Sequence, residues 1–219
     1  MIRRWIFRAA LVLAANGAAL LILAGTAVAL DPGEHLYVDI ITKLPGWIAQ
    51  PTMRSGDLEL TVLVPPGQDA RNWTDQVAVE TFYGPPHESA QSLLAERIAE
   101  IGKACEETAL GPVNPNMENG YETAMRAVAC TKVKKLDNKG EVSLYKAFKG
   151  QDRMYLVARA WRGPAFDKAH VPVQPDVTLQ WLAFVQSIVL CDTRDPHKPC
   201  PTVGAAPPAK PAPDPAKKP

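Results

Sequence analysis

Three side chains that can bind metal or exchange electrons lie close together near the C-terminus of the chain. Cys191, His197 and Cys200 form a C-x5-H-x2-C pattern. Thiolates and imidazole are ligands for zinc or copper, and Asp192 or Asp195 could supply a fourth ligand. The spacing matches no established metal motif, and an oxidising compartment converts such thiols to a disulfide. The pattern therefore favours a disulfide, and no metal or other cofactor is expected.

The four cysteines are expected to crosslink the fold rather than to catalyse. In an exported chain, four cysteines most often form two disulfides, and three pairings are open to them. We predict that Cys105 pairs with Cys130, which would join the end of a helix to a strand. We also predict that Cys191 pairs with Cys200 and closes a short loop. The alternative pairing joins Cys105 to Cys191.

Residue types found in hydrolases are present, but their spacing does not form a catalytic set. His87, Glu88 and Ser89 are consecutive, so their side chains point in different directions at the start of a helix. Glu88 and Ser89 fit first-turn or capping positions of that helix. No serine lies in a glycine-flanked nucleophile elbow. A glycosidase needs two carboxylates across a cleft, which spacing alone does not supply. No catalytic residue is predicted, and a hydrolase with an unrecognised site is the alternative.

A basic cluster falls at the tip of a predicted hairpin. Its ammonium groups could contact phosphate headgroups or an acidic partner, while a solvated turn is the default interpretation. The cluster consists of Lys132, Lys134, Lys135 and Lys139.

Apolar periodicity predicts two strands and a helix in the first half of the chain. Residues 58–64 and 76–83 alternate as strands do. Trp73 precedes the second strand and could line a groove, but packing is the favoured interpretation. Apolar residues then recur from Leu94 to Cys105 at helical spacing. The solvent side of this helix is expected to hold Glu96, Arg97, Glu100 and Lys103.

The second half of the chain predicts three more strands and a final helix. The strands cover residues 122–134, 141–148 and 153–161, separated by short polar turns that contain glycine. The helix is expected to run from about Asp176, its N-cap, to about Cys191. The resulting order, β-β-α-β-β-β-α, predicts an α+β fold in which two main helices pack on an antiparallel sheet of about five strands. Residues 31–56 have no assigned place in this scheme.

This order of elements resembles PsbP-like domains, a sandwich family in which helices flank an antiparallel sheet and a late helix closes the domain. The resemblance covers about residues 55–192 and rests on element order rather than on a motif. It implies a non-enzymatic accessory or assembly role, and it assigns no functional residue.

The two ends of the chain predict export and a non-globular tail. Residues 1–29 have a basic head, an apolar run and a small-x-small cleavage box at Ala27 and Ala29, as signal peptides do. The apolar run is also long enough for the alternative, an N-terminal membrane anchor with the bulk of the protein outside. Residues 30–200 are predicted to form a single domain. The Pro-, Ala- and Lys-rich residues 201–219 are predicted to be disordered.

Charge and composition narrow the class of function. Without residues 1–29 the chain has 21 Lys and Arg against 23 Asp and Glu, a net charge of −2, which disfavours nucleic-acid binding. The sequence therefore predicts a periplasmic or secreted bacterial protein that acts as a binding or assembly module. Its expected partner is an envelope protein or a cell-wall component, and a membrane is expected only if the N-terminal segment is retained.

Overall fold

The computed structural model describes residues 31–84 and 87–201. The predicted signal segment, with Ala27 and Ala29, and the predicted tail from residue 202 onward lie outside the described residues. The chain divides into two units, residues 1–30 and 31–219, and everything described below belongs to the second unit. Within the described part of the chain, no helix is long and apolar enough to cross a membrane.

The protein has an α+β fold in which all strand pairs are antiparallel. The helices are α1 (Ile40–Lys43), α2 (Ala90–Ala104) and α3 (Pro175–Gln186). The strands are β1 (Glu34–Tyr37), β2 (Ile48–Ala49), β3 (Met53–Ser55), β4 (Leu58–Val64), β5 (Asp75–Phe82), β6 (Thr108–Leu110), β7 (Asn114–Glu118), β8 (Tyr121–Cys130), β9 (Lys139–Lys149), β10 (Met154–Pro164) and β11 (Val189–Asp192).

A nine-stranded sheet forms the centre of the fold. Its strands lie in the order β2-β4-β5-β10-β9-β8-β6, with β3 beside β4 and β7 beside β8 near the two edges. β1 and β11 form a separate two-stranded sheet. The structure confirms the α+β class and the antiparallel pairing that the sequence predicted. The predicted count of about five strands is wrong, because strands of two to five residues at the edges are too short to show alternation.

The two longer helices cover opposite faces of the central sheet. Phe184 and Val185 of α3 pack in one core cluster with Phe148 and Val157, which lie on β9 and β10. Leu94 of α2 packs in another cluster, against neighbouring residues of β8, β9 and β10 that point the other way. Successive side chains of a strand point to opposite faces, so a sheet between two helices is apolar on both.

The final helix is shorter than predicted. It ends at Gln186, and Val189–Asp192 form β11, which pairs with β1. Leu190 is 1 % exposed. The residues of this short buried strand are as apolar as those of the helix before it. Apolar periodicity therefore could not distinguish the strand from a continuation of the helix. The predicted N-cap is also wrong, since Gln174 is the N-cap and Asp176 lies in the first turn. Pro175 takes the first helical position because its fixed φ suits that position.

Two disulfides crosslink the fold in the pairing preferred from the sequence. Cys105 is bonded to Cys130 over a separation of 25 residues, which joins the end of α2 to the end of β8. Cys191 is bonded to Cys200 over 9 residues and closes the loop after β11. In the chain-entropy model, a disulfide stabilises the fold by restricting the unfolded chain. The Cys105–Cys130 bond contributes about 3.5 kcal/mol in this model, and the Cys191–Cys200 bond about 2.6 kcal/mol.

Candidate ligand-binding groove

A groove of about 250 Å³ lies open on the α2 face of the central sheet. Its floor is low because three alanines, Ala78, Ala158 and Ala160, occupy adjacent positions on β5 and β10. Ala78 pairs directly with Ala158, so their short side chains lie next to each other on one face. A larger residue at any of these positions would fill the space. The groove is therefore a consequence of small residues in the middle of two long strands.

One wall of the groove is built by Trp73 and an arginine-carboxylate pair. Arg162 lies over the Trp73 ring, with its guanidinium carbon 3.9 Å from the ring centroid. Arg162 Nε also donates a 2.8 Å hydrogen bond to Glu141 Oε1, and Nη1 donates to the backbone oxygen of Arg71. Stacking and charge-assisted bonding together hold the guanidinium in one orientation. The wall is thus rigid and nearly neutral.

Glu80, beside the floor, forms a second arginine-carboxylate pair. Its carboxylate accepts a hydrogen bond from Arg97 Nη2, which reaches over from α2. The side chain of Arg97 is 24 % exposed. The expectation that Arg97 lies on the solvent side of α2 is therefore wrong, because the long side chain bends back to the sheet. Burial raises the pKa of Glu80, and the charge of Arg97 opposes that rise.

Uncharged polar groups complete the lining. Gln76 and Ser143 flank Ala160 on the neighbouring strands, and Tyr145 flanks Ala158. Burial raises the pKa of Tyr145 to about 12. Its hydroxyl is protonated at neutral pH, as in any tyrosine, and can donate a hydrogen bond. An amide and two hydroxyls offer both donors and acceptors. The groove can therefore bind hydroxyl or amide groups of a ligand without supplying a net charge.

A second depression, of about 290 Å³, lies on the other side of α2. It is lined mostly by helix residues such as Leu94 and Ile98, together with Val113. Its charged residue, Arg126, donates from Nε to the backbone oxygen of Gly111. This depression is lined by fewer polar groups than the groove is, so we take the groove as the candidate site.

The residue types typical of hydrolases that the sequence contains do not come together in the structure. Ser89 is the N-cap of α2, and its hydroxyl accepts a hydrogen bond from the amide of Ser92. His87 packs edge-on against Phe82, with its Nδ1 3.4 Å from a carboxylate oxygen of Glu96. The three consecutive residues from His87 to Ser89 therefore do not form a hydrolase triad, and none of them lines the groove.

The cysteine-histidine pattern near the C-terminus is not a metal site in this structure. The thiols of Cys191 and Cys200 are joined to each other, so neither is free to coordinate a metal. The two aspartates have other partners: Asp192 binds Arg194, and Asp195 accepts a hydrogen bond from the amide of His197. Among residues 31–84 and 87–201, no group of three His, Cys, Asp or Glu side chains is placed to hold a metal.

The sequence did not indicate the floor of the groove. For Trp73, core packing was the favoured interpretation and a groove the alternative; the side chain is 5 % exposed and lines the groove. The alanines carry no chemistry of their own, but they were a usable signal. Alanine is depleted in strands relative to β-branched residues, so three alanines in β5 and β10 are a signal for a face without bulky side chains. The alanines lie side by side only because of the pairing register of β5 and β10, and a single sequence does not show this register.

The resemblance to PsbP-like domains rests on element order and stays a prediction. Neither a protein-family model nor a curated protein matches the chain.

Proposed function

We propose that the protein is an exported, non-enzymatic binding module of the bacterial envelope and that the groove is its ligand site. The observation that carries this proposal is the open alanine floor beside two arginine-carboxylate pairs. Both carboxylates, Glu80 and Glu141, already accept hydrogen bonds from arginines. Groups held in this way can orient a ligand, but they are poorly suited to exchange protons with it.

The disulfides support the location outside the cytoplasm. Both cysteine pairs are bonded, and such bonds persist in oxidising compartments. The periplasm is the proposed compartment, because the N-terminal segment reads as a signal peptide and the Pro-, Ala- and Lys-rich C-terminal segment is typical of envelope proteins. A secreted protein remains the alternative, as does one anchored in the inner membrane with its bulk in the periplasm.

The chemistry of the lining favours an uncharged ligand rich in hydroxyl and amide groups. Each guanidinium beside the floor is neutralised by a glutamate, so an ionic ligand would find no opposite charge to pair with. Amide and hydroxyl groups from Gln76, Ser143 and Tyr145 match the hydrogen-bonding pattern of a sugar. The proposed ligand is therefore a segment of cell-wall glycan, and an envelope protein is the other partner class.

Titration with a tetramer of N-acetylglucosamine, followed by NMR, tests this function. We expect chemical-shift changes confined to residues that line the groove. Ala158→Leu should weaken binding at least about tenfold, since its side chain would occupy the space above the floor. The matched control is Ala183→Leu, at an exposed position of α3, which should bind as the unmodified protein does. Shift changes that survive Ala158→Leu would show that the tetramer binds elsewhere.

A hydrolase is the second candidate, and one observation favours it. Glu80 and Glu141 line the same groove, and burial raises the pKa of Glu80, as happens for general acids in glycosidases. If these residues are catalytic, Glu80→Gln and Glu141→Gln should each abolish hydrolysis of a labelled glycan while binding persists. For a binding module, we expect no hydrolysis by the unmodified protein under the conditions in which it binds.

A further inference from the structure

The described chain enters and leaves the fold at one end of the central sheet. Near its start, the carboxylate of Glu34 accepts hydrogen bonds from the amides of Gln151 and Asp152, in the turn between β9 and β10. Near its end, the backbone oxygen of Pro199 accepts a bond from Asn119, in the turn between β7 and β8. Both turns lie at the same end of the sheet, because Glu122 pairs with Lys149. We call this the terminal end.

Six lysines gather at the opposite end, which we call the lysine end. The loop between β8 and β9 lies there, next to the last turn of α2 and the loop after β10. The eleven residues of β9 separate the two ends by about 33 Å, at about 3.3 Å per residue. The six residues are Lys103, Lys132, Lys134, Lys135, Lys139 and Lys168.

Charge is distributed unevenly between this end and the rest of the fold. Residues 31–201 carry 18 Lys and Arg against 22 Asp and Glu. The lysine end has six lysines against four carboxylates, a net charge of +2, which leaves −6 for the remainder. The four carboxylates are those of Glu106, Glu107, Asp137 and Asp167.

Most of the lysine charges are available to a partner. Ion pairs engage Lys132 with Glu106 and Lys168 with Glu107. Among the described residues, the other four lysines form no ion pair, and all four are exposed. One of these, Lys134, donates to the backbone oxygen of Lys103, which leaves its charge uncompensated.

The arrangement of the lysines fits an extended surface better than a small ligand. They come from three separate segments, and none of them lines either of the two depressions described above. Lysine carries a compact, strongly hydrated charge on a flexible stem, which suits non-specific attraction rather than bidentate recognition. Near an anionic bilayer, each such charge contributes about 1 kcal/mol, which is about fivefold in binding.

We propose that the lysine end binds the surface of an anionic phospholipid bilayer. In this orientation residues 31 and 201, where the described chain begins and ends, lie at the end of the sheet away from the bilayer. Membrane attachment is a second property, carried by residues that do not line the groove. Binding of the lysine end to the bilayer is electrostatic. It therefore weakens as added salt shortens the screening length from about 10 Å at 0.1 M to about 3 Å at 1 M.

Co-sedimentation with vesicles tests the proposal. The protein is used as residues 31–219, the second of the two units into which the chain divides. We expect binding to vesicles of phosphatidylcholine mixed with phosphatidylglycerol, little binding to pure phosphatidylcholine, and release at 1 M salt. The triple variant Lys103→Gln/Lys135→Gln/Lys139→Gln should bind at least about tenfold more weakly. Thermal unfolding of each variant reports whether the fold is retained.

Two controls separate the lysine end from other sources of positive charge. The variant Lys43→Gln/Arg54→Gln/Lys149→Gln removes the same number of charges at other places and should keep most of the binding. A chain that ends at residue 201 lacks Lys210, Lys217 and Lys218 and should also still bind. The proposal is overturned if the shortened chain loses vesicle binding while the Lys103 triple variant keeps it. Binding to soluble polyaspartate but not to vesicles would overturn it in favour of an acidic protein partner.

Discussion

Asp192 shows how one buried carboxylate makes stability depend on pH. It is 3 % exposed, and it accepts hydrogen bonds from the amide and guanidinium of Arg194. These bonds lower the pKa of Asp192 from 3.8 to about 2. Because the folded value lies below the ordinary one, the charged form stabilises the fold above about pH 4. This contribution is lost as the pH falls towards 2.

Replacing Asp192 by asparagine should remove this part of the acid response. We expect Asp192→Asn to lower the melting temperature at pH 5, since Arg194 then loses its buried charged partner and keeps its more exposed pair with Asp152. The difference from the unmodified protein should shrink at pH 2, where Asp192 is increasingly protonated in the unmodified protein as well. Thermal unfolding at the two pH values measures the difference, with Asp137→Asn, an exposed position in the loop between β8 and β9, as the control. An unchanged difference between pH 5 and pH 2 would show that the charge of Asp192 contributes no stability.

At the scale of elements, a buried lysine joins α3 to the sheet. Lys146 of β9 is 0 % exposed. Its ammonium donates to the backbone oxygens of Val185 and Ile188 at 3.2 and 3.1 Å, and to Glu118 at 2.6 Å. Val185 lies in the last turn of α3 and Ile188 lies two residues beyond its end, so a cation at this place binds backbone oxygens at the C-terminus of the helix and interacts favourably with its dipole. Lys146 thereby takes the place of a C-capping residue.

Lys146→Met should therefore destabilise the fold strongly. The variant removes the ammonium group from the two backbone oxygens and from the carboxylate of Glu118, and breaking a buried ion pair costs about 3–5 kcal/mol. Urea unfolding measures the loss of free energy. The control is Lys168→Met, which breaks a surface pair with Glu107 and should cost less than about 1 kcal/mol. Equal stabilities for the two variants would mean that Lys146 does not hold the end of α3.

The long strands were predictable from the sequence, and the short ones were not. Strands β4, β5, β8, β9 and β10 coincide with the five predicted segments to within a few residues, because each is long enough for alternation to be visible. β1 and β11 pair across most of the chain, a relation that local periodicity does not contain. One missed element did carry a signal: Asn119-Gly120, with φ values of 49° and 76°, forms the turn between β7 and β8. Asn-Gly is the strongest short-range signal for such a turn.

The groove was harder to predict than the fold, for a physical reason. Its lining comes from strands far apart in the chain, so that Ala78 meets Ala158 and Glu141 meets Arg162. Composition indicates which residues can do chemistry, but proximity depends on register. The disulfide pairing was easier, because export predicts that the cysteines are bonded, and four of them allow just three pairings.

At the scale of the whole molecule, the sheet has two open edges, each with a proline. Pro51 lies between β2 and β3 at one edge, and Pro115 lies within β7 at the other. The two-residue turn at 119–120 makes Glu118 and Tyr121 a hydrogen-bonded pair. Hydrogen-bonded pairs alternate along an antiparallel ladder, so every second residue of β7, counted back from Glu118, directs its backbone N–H and C=O towards β8. Pro115 is three positions before Glu118, and its nitrogen therefore faces away from β8. It removes a donor from the edge that a second chain could use.

Replacing Pro115 should therefore promote association between molecules. Pro115→Thr adds an outward N–H to an edge that already exposes Met117 and Val113, and the fold itself should change little because β7 pairs with β8 through other residues. Light scattering at increasing protein concentration should show a larger average mass for this variant than for the unmodified protein. Pro172→Thr, in the loop before α3, makes the same chemical change away from the edges and should leave the mass unchanged. If both variants remain as small as the unmodified protein, the proline does not protect the edge, and the exposed side chains of β7 must suffice to keep molecules apart.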